Sequence, residues 1–286
     1  MKHSALALAL AWLPGKPARL VIATAVALAS LVGGIAMADA LQEGKVLLEK
    51  KEFDAAARKF AQGFDAGDAD AGFHLARMVE LGVGFPPDAA KARALYIAAA
   101  EKGSAAALNR LGLMHLRGEG VRQDFAAAAE LVCKAADLGN AEAQFNCGGL
   151  ALAGTGRKKD AANAYAYYEK AMQAGHVGAR NMVALLQREG IGTERDYGEA
   201  LRHFQQGAAL GNPVALFNLA EMFERGEGTD ADPVRAHLYF NLANERGHPR
   251  ARRALNRLTA SMTREQLEDA QARARIWKPA EITEAN

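Results

Sequence analysis

Residues 103–139 read GSAAALNRLGLMHLRGEGVRQDFAAAAELVCKAADLG, and the spacing of small residues in this stretch returns along most of the chain. In steps of 36, glycine recurs at Gly67, Gly103, Gly139, Gly175, Gly211 and Gly247, and alanine four residues later at Ala71, Ala107, Ala143, Ala179, Ala215 and Ala251. A strict period of this length marks stacked repeats, each too small to bury its apolar face except against its neighbours. The 286 residues are therefore expected to form one array rather than separate globular domains. Half of them are hydrophobic and only 7% aromatic, with alanine frequent, a composition that suits closely packed helices better than a sheet.

Inside each repeat, starting at Ala71, Ala107, Ala143, Ala179 and Ala215, an apolar residue falls four positions on (Leu75, Leu111, Cys147, Val183, Leu219). A very small one follows it (Ala76, Gly112, Gly148, Ala184, Ala220), so two helix backbones can come close. A G-x-G pair then closes the first helix, at Gly82/Gly84, Gly118/Gly120, Gly154/Gly156, Gly190/Gly192 and Gly226/Gly228. The first glycine of each pair stands where a helix ends in the left-handed conformation. Asp88, Asp124, Asp160, Asp196 and Asp232 occupy one fixed place after the pair and are expected to N-cap the second helix. That helix carries Ala92, Ala128, Ala164, Ala200 and Ala236, each with a larger apolar residue four on (Tyr96, Val132, Tyr168, Phe204, Phe240), which places both on one face. Short connections make the two helices antiparallel. The expected repeats are thus 71–106, 107–142, 143–178, 179–214 and 215–250.

The ends differ from the repeats. Lys2, Lys16 and Arg19 precede an apolar run, Leu20 to Met37, that finishes in Ala36-Met37-Ala38 and Ala38-Asp39-Ala40. A basic start, an apolar middle and an A-x-A end make residues 1–40 a signal peptide; an uncleaved membrane anchor is the other reading, and both export the repeats. Residues 41–70 are expected to be capping helices with a turn near Lys51, and 251–286 a second cap in which Thr263 to Gln266 starts the last helix as a capping box and Trp277 closes the core.

The formal charge is +2, from 35 cations and 33 anions. Cleavage after Ala38 removes three cations and leaves 32 against 33; cleavage after Ala40 also removes Asp39 and leaves 32 of each. Such a balance offers no electrostatic case for nucleic acid. The G-x-G pairs lack the lysine and preceding strand of a phosphate loop, and five aspartates at one structural position are caps rather than a calcium site. His3, His74, His115, His176, His203, His237 and His248 form no metal-ligand spacing. No catalytic residue, metal or cofactor is expected.

These residues resemble the Sel1-like repeat, a bacterial relative of the tetratricopeptide repeat. The second copy carries the pattern almost throughout: Ala107, Leu111, Gly112, Gly118, Gly120, Val121, Asp124, Ala128, Ala135, Ala136 and Gly139. The resemblance extends from about Leu41 to Trp277; repeats three and four depart from it, with Cys147 and Val183 in place of leucine and Arg157 and Thr193 in place of valine. It implies an all-α fold, a right-handed α-solenoid of antiparallel helix pairs. It also implies an adaptor function, exported members being associated with envelope regulation, exopolysaccharide systems and host contact.

Cys133 and Cys147 stand on opposite sides of the turn near Asn140, where an antiparallel pair makes such positions face each other. Exported cysteine-rich relatives bridge the same two helices one helical turn closer to the connection, which implies a disulfide here; two buried free thiols are the alternative. A bridge would close a loop of about 15 residues and stabilise by about 2–4 kcal/mol.

In the related tetratricopeptide arrays the first helices line the concave face, which would open positions two, six, nine and ten after each starting alanine. The resulting candidates for partner binding are Phe73, Arg77, Asn109, Leu113, Leu116, Arg117, Phe145, Asn181, Leu185, Arg188, Phe217 and Glu221. Regular aromatics and asparagines, with apolar middle repeats flanked by charges, would suit a peptide or a partner's helix; packing is the other reading of the aromatics. The expected function is a non-catalytic protein-binding adaptor of the periplasm, or secreted, touching a membrane only if the N-terminal segment stays uncleaved and anchors it in the inner membrane. Because penicillin binding is attributed to cysteine-rich relatives, an envelope enzyme or wall-component binder is the second reading.

Overall fold

The computed structural model describes residues 40–280. The expected signal peptide or anchor, apart from Ala40, and the last six residues of the tail lie outside the described residues. Among the described residues the regular structure is entirely helical. The elements are α1 (40–49), α2 (Phe53–Asp65), α3 (Ala69–Leu81), α4 (Ala89–Glu101), α5 (Ala105–Arg117), α6 (Phe125–Asp137) and α7 (Ala141–Ala153). They continue with α8 (Ala161–Gln173), α9 (Val177–Glu189), α10 (Tyr197–Ala209), α11 (Pro213–Arg225), α12 (Pro233–Glu245), α13 (Ala251–Thr259) and α14 (Arg264–Ile276). Among these described residues no helix is long and apolar enough to cross a membrane.

The helices gather into two compact units, one ending at Ala107 and the other beginning at Leu108. In the first, α1 and α2 meet at a turn where Lys51 has φ +62°, and Phe60, Ala56, Ala71 and Met78 form the core with Leu48, Phe53 and Leu75 packed around it. In the second, the largest core gathers Phe204, Phe223, Phe240 and Leu219 with Leu242 and Leu258. Leu258 belongs to α13, so the C-terminal helices complete that core.

The repeat chemistry acts as its spacing predicts. Each of the five aspartates accepts backbone N–H groups of the helix it precedes: Asp88 from Lys91, Asp124 from Ala126 and Ala127, Asp160 from Asn163, Asp196 from Glu199 and Asp232 from Arg235. These donors would otherwise lack a partner in the first turn. The small residue after the leucine position permits close approach: a Cβ at Gly112 would come within 2.6 Å of the Val132 side chain and 3.1 Å of the Ala128 carbonyl on α6. At the C-terminal end, Thr263 and Gln266 exchange hydrogen bonds as a capping box that starts α14. Trp277 packs against the last core with the Arg246 guanidinium 4.6 Å from its ring.

Candidate partner-binding face

The alternation at position two is resolved inside the protein. Phe145 stacks on His176 with ring centroids 4.4 Å apart, and Phe217 on His248 at 4.1 Å, with Arg250 4.6 Å from the same phenyl ring. Where position two is asparagine, an amide answers it: Asn181 donates to Asn212 at 3.0 Å, and Asn109 accepts from Asn146 at 3.2 Å. His176 and Asn212 are themselves N-caps, His176 accepting from the Ala179 N–H and Asn212 from those of Val214 and Ala215. An aromatic thus meets an imidazole 31 residues later, and Asn181 meets another asparagine at the same distance. The signal was present in the sequence as a second alternation, His176 and His248 against Asn140 and Asn212, but only the contact shows that the two series belong together.

This corrects four of the expected groove residues. Asn109, Asn181 and Phe217 are buried, at 7%, 8% and 2% exposure, because their side chains close the junction to the following helix. Arg188 is 3% exposed: its Nε donates to Glu227 at 2.5 Å and its Nη1 to Glu221 at 3.0 Å and Asn218 at 3.4 Å. Burial alone would disfavour its charge, but the hydrogen bonds and proximity of Glu227 and Glu221 outweigh that and hold the guanidinium ionised above its ordinary range. Glu221 is half-buried and engaged in the same network. Phe73 and Phe145 are half-buried, Phe73 lying 5.7 Å from the Tyr96 ring and Phe145 5.4 Å from Tyr168.

Several candidates do reach solvent. In the first unit Arg77 is exposed and borders a largely apolar cleft of about 510 Å³ whose walls include Leu48, Phe53, Met78, Leu81 and Val83. In the second, Leu113 and Leu116 on α5 and Leu185 on α9 are half-exposed, as is Leu152 on α7, while Arg117 is exposed and pairs with Glu119 at 3.3 Å. These leucines are first-helix residues; Leu152 and Leu185 pack by one side against the neighbouring cores and keep the other side open. A further cleft of about 400 Å³ lies among α12, α13 and α14, lined by groups that include His237, Asn241, Asn256 and Gln271.

Cys133 on α6 and Cys147 on α7 form a disulfide, with Cα atoms 5.1 Å apart. A feature not anticipated is Arg157, in the loop after α7, whose Nη1 donates to both sulfurs, at 2.8 Å from Cys133 and 3.2 Å from Cys147. Among the described residues no group of three or more His, Cys, Asp or Glu side chains is arranged to hold a metal ion.

Burial makes the histidines sensitive to acid. His74, His203, His237 and His248 all have pKa values pushed below 6.5, first by burial, with Lys45 adding to the shift at His74, Arg202 at His203 and Arg250 at His248. The unfolded chain then binds more protons than the folded one in the window below pH 6.5, so stability falls as the pH drops through it. Urea midpoints at pH 7.5 and 5.5 should show a loss at the lower pH, and His203→Gln should narrow the gap; equal midpoints at both pH values would exclude this coupling.

A profile of the family described as Sel1 repeat matches residues 69–104, 105–140, 141–176, 177–212 and 213–248. These frames begin two residues before those counted from the alanines. Among solved structures, a Sel1 repeat protein from Oxalobacter formigenes is 25% identical, with 85% of this chain and 99% of that one covered and a TM-score of 0.70. The antigen c5321 of uropathogenic Escherichia coli strains, described as displaying an SLR fold, is 20% identical over 87% of this chain and 66% of its own, with a TM-score of 0.55. No curated protein matches the chain.

Proposed function

The chain belongs to the Sel1 repeat family, and on that premise we propose that it is an exported adaptor that binds a protein or peptide partner in the periplasm. Sel1 repeats are generally non-catalytic scaffolds for protein interaction. The observation that carries the reading is the set of half-exposed leucines on successive first helices, Leu113, Leu116, Leu152 and Leu185, with the charged Arg117 and Glu189 on the same helices. Apolar side chains left partly open with charges nearby are the usual chemistry of a protein contact, and a few such residues carry most of its free energy. Export is supported by the basic start, apolar run and A-x-A sites of residues 1–40, and by a disulfide, which persists in oxidising compartments. The near-balanced charge supports a protein partner over nucleic acid.

The test is recovery of a partner from the periplasmic fraction with the tagged protein. Leu116→Asp combined with Leu185→Asp should weaken that partner at least about tenfold, since buried interface residues cost more than about 1 kcal/mol each, while the helical circular dichroism is retained. Unchanged recovery with both leucines replaced would exclude this face. Recovery of the chain in the cytoplasmic fraction with residues 1–38 intact would exclude export.

A further inference from the structure

The position of Arg157 in its repeat is held elsewhere by Phe85, Val121, Thr193 and Thr229. The one arginine falls in the repeat that contributes Cys147 to the disulfide, and it is aimed at the bond. Its Nη1 donates to both sulfurs and its Nη2 to Asn163 Oδ1 at 3.1 Å, which fixes the guanidinium from the far side. Among the described residues no carboxylate lies within ion-pair distance of it; Asp137 reaches the neighbourhood only through the Tyr167 hydroxyl, which donates to it at 2.8 Å. The two sulfurs differ in access, Cys133 being half-exposed and Cys147 fully buried.

A disulfide sulfur is a weak acceptor, whereas a thiolate is a strong one that an adjacent cation stabilises. An arginine without a carboxylate partner at this place therefore favours the reduced pair over the bridge and assists a thiolate in leaving. We propose that Cys133–Cys147 is an exchangeable disulfide, poised by Arg157 for reduction by a dithiol protein or small dithiol. A thiolate of the dithiol attacks Cys133 Sγ; the S–S bond breaks, and Cys147 departs as a thiolate held by Arg157. The second thiol of the reductant, once deprotonated, attacks the mixed disulfide and releases Cys133. The reductant leaves as a disulfide, having given two electrons, and its two protons balance the two thiols formed. Reduction removes the covalent link between α6 and α7, the helix that carries Leu152. The inference rests on the sulfur environment alone and stands whether or not the leucine face binds a partner.

The test uses the full chain in dithiothreitol redox buffers, with thiols counted by maleimide mass shift and folding followed by circular dichroism. The wild type should open its bridge while still folded. Arg157→Gln should slow opening and shift the equilibrium toward the disulfide, each by about tenfold, and Arg157→Lys should recover most of both. Equal rates and equilibria for wild type and Arg157→Gln would overturn the proposal, as would two free thiols in the unreduced, unfolded protein. Should Arg157→Gln fail to fold, the pH dependence of the thiolate ultraviolet absorbance of the reduced wild type, which reports both cysteines, decides. A midpoint well below about 8.5 supports the arginine's role, and an ordinary thiol midpoint overturns it.

Discussion

Replacing Arg188 by alanine should lower the unfolding free energy by about 3 kcal/mol, the lower part of the range for breaking a buried ion pair. The guanidinium is 3% exposed and spans Glu221 and Glu227, whose side chains are 18% and 17% exposed. Its loss leaves two carboxylates side by side with little water. Arg225 reaches them from 3.8 and 3.5 Å but is itself 54% exposed, so it compensates only in part. Arg188→Lys should lose a substantial share as well, because one ammonium cannot reproduce two hydrogen bonds in a planar fork. Combining Arg188→Met with Glu221→Gln and Glu227→Gln should recover much of the loss, since the charges are removed together. Urea unfolding monitored at 222 nm measures each value; a change under about 1 kcal/mol for Arg188→Ala would mean that the network is not closed to solvent.

Gly192→Ala should cost about 2–4 kcal/mol, from backbone strain and steric overlap together. The residue has φ +73°, and a Cβ there would fall on the carbonyl oxygen of Ala161, the first residue of α8, and 2.9 Å from the Ala162 nitrogen. Neither obstacle is a flexible side chain, so the loop after α9 must move away from the helix it rests on. Gly103→Ala separates the two contributions. Its φ is +101° and nothing lies within 4 Å of the added carbon, so only the strain of about 1–2 kcal/mol should appear. Matched thermal or urea unfolding of the two variants reads the difference; equal losses would show that the contact with Ala161 contributes nothing.

The glycines, the aspartates and the small residues were legible because each answers a requirement of its own backbone or of its nearest helix. A left-handed residue asks for glycine, and four free N–H groups ask for Asp124 or its equivalents. The candidate face was legible only in part. Position two alternates between phenylalanine and asparagine in the sequence, yet Phe217 and Asn181 turn inward, where each meets the residue 31 positions on, His248 or Asn212. Arg188 reads as a surface charge on its own helix and is buried by two glutamates of the next first helix and its loop.

Chain order alone therefore determined the repeat period, the G-x-G ends of the first helices, the aspartate caps of the second and the antiparallel pairing, all of which depend on residues within about one 36-residue step. The tertiary structure decided which members of the first-helix face are free, that Cys133 meets Cys147, and that Arg157 lies against their sulfurs. The reason is physical. Turns and caps are set by backbone geometry that a residue type satisfies locally, whereas exposure and hydrogen-bond partners are set by side-chain direction across a packed junction. There a rotation of one side chain exchanges solvent for a neighbour without altering the period that the sequence displays.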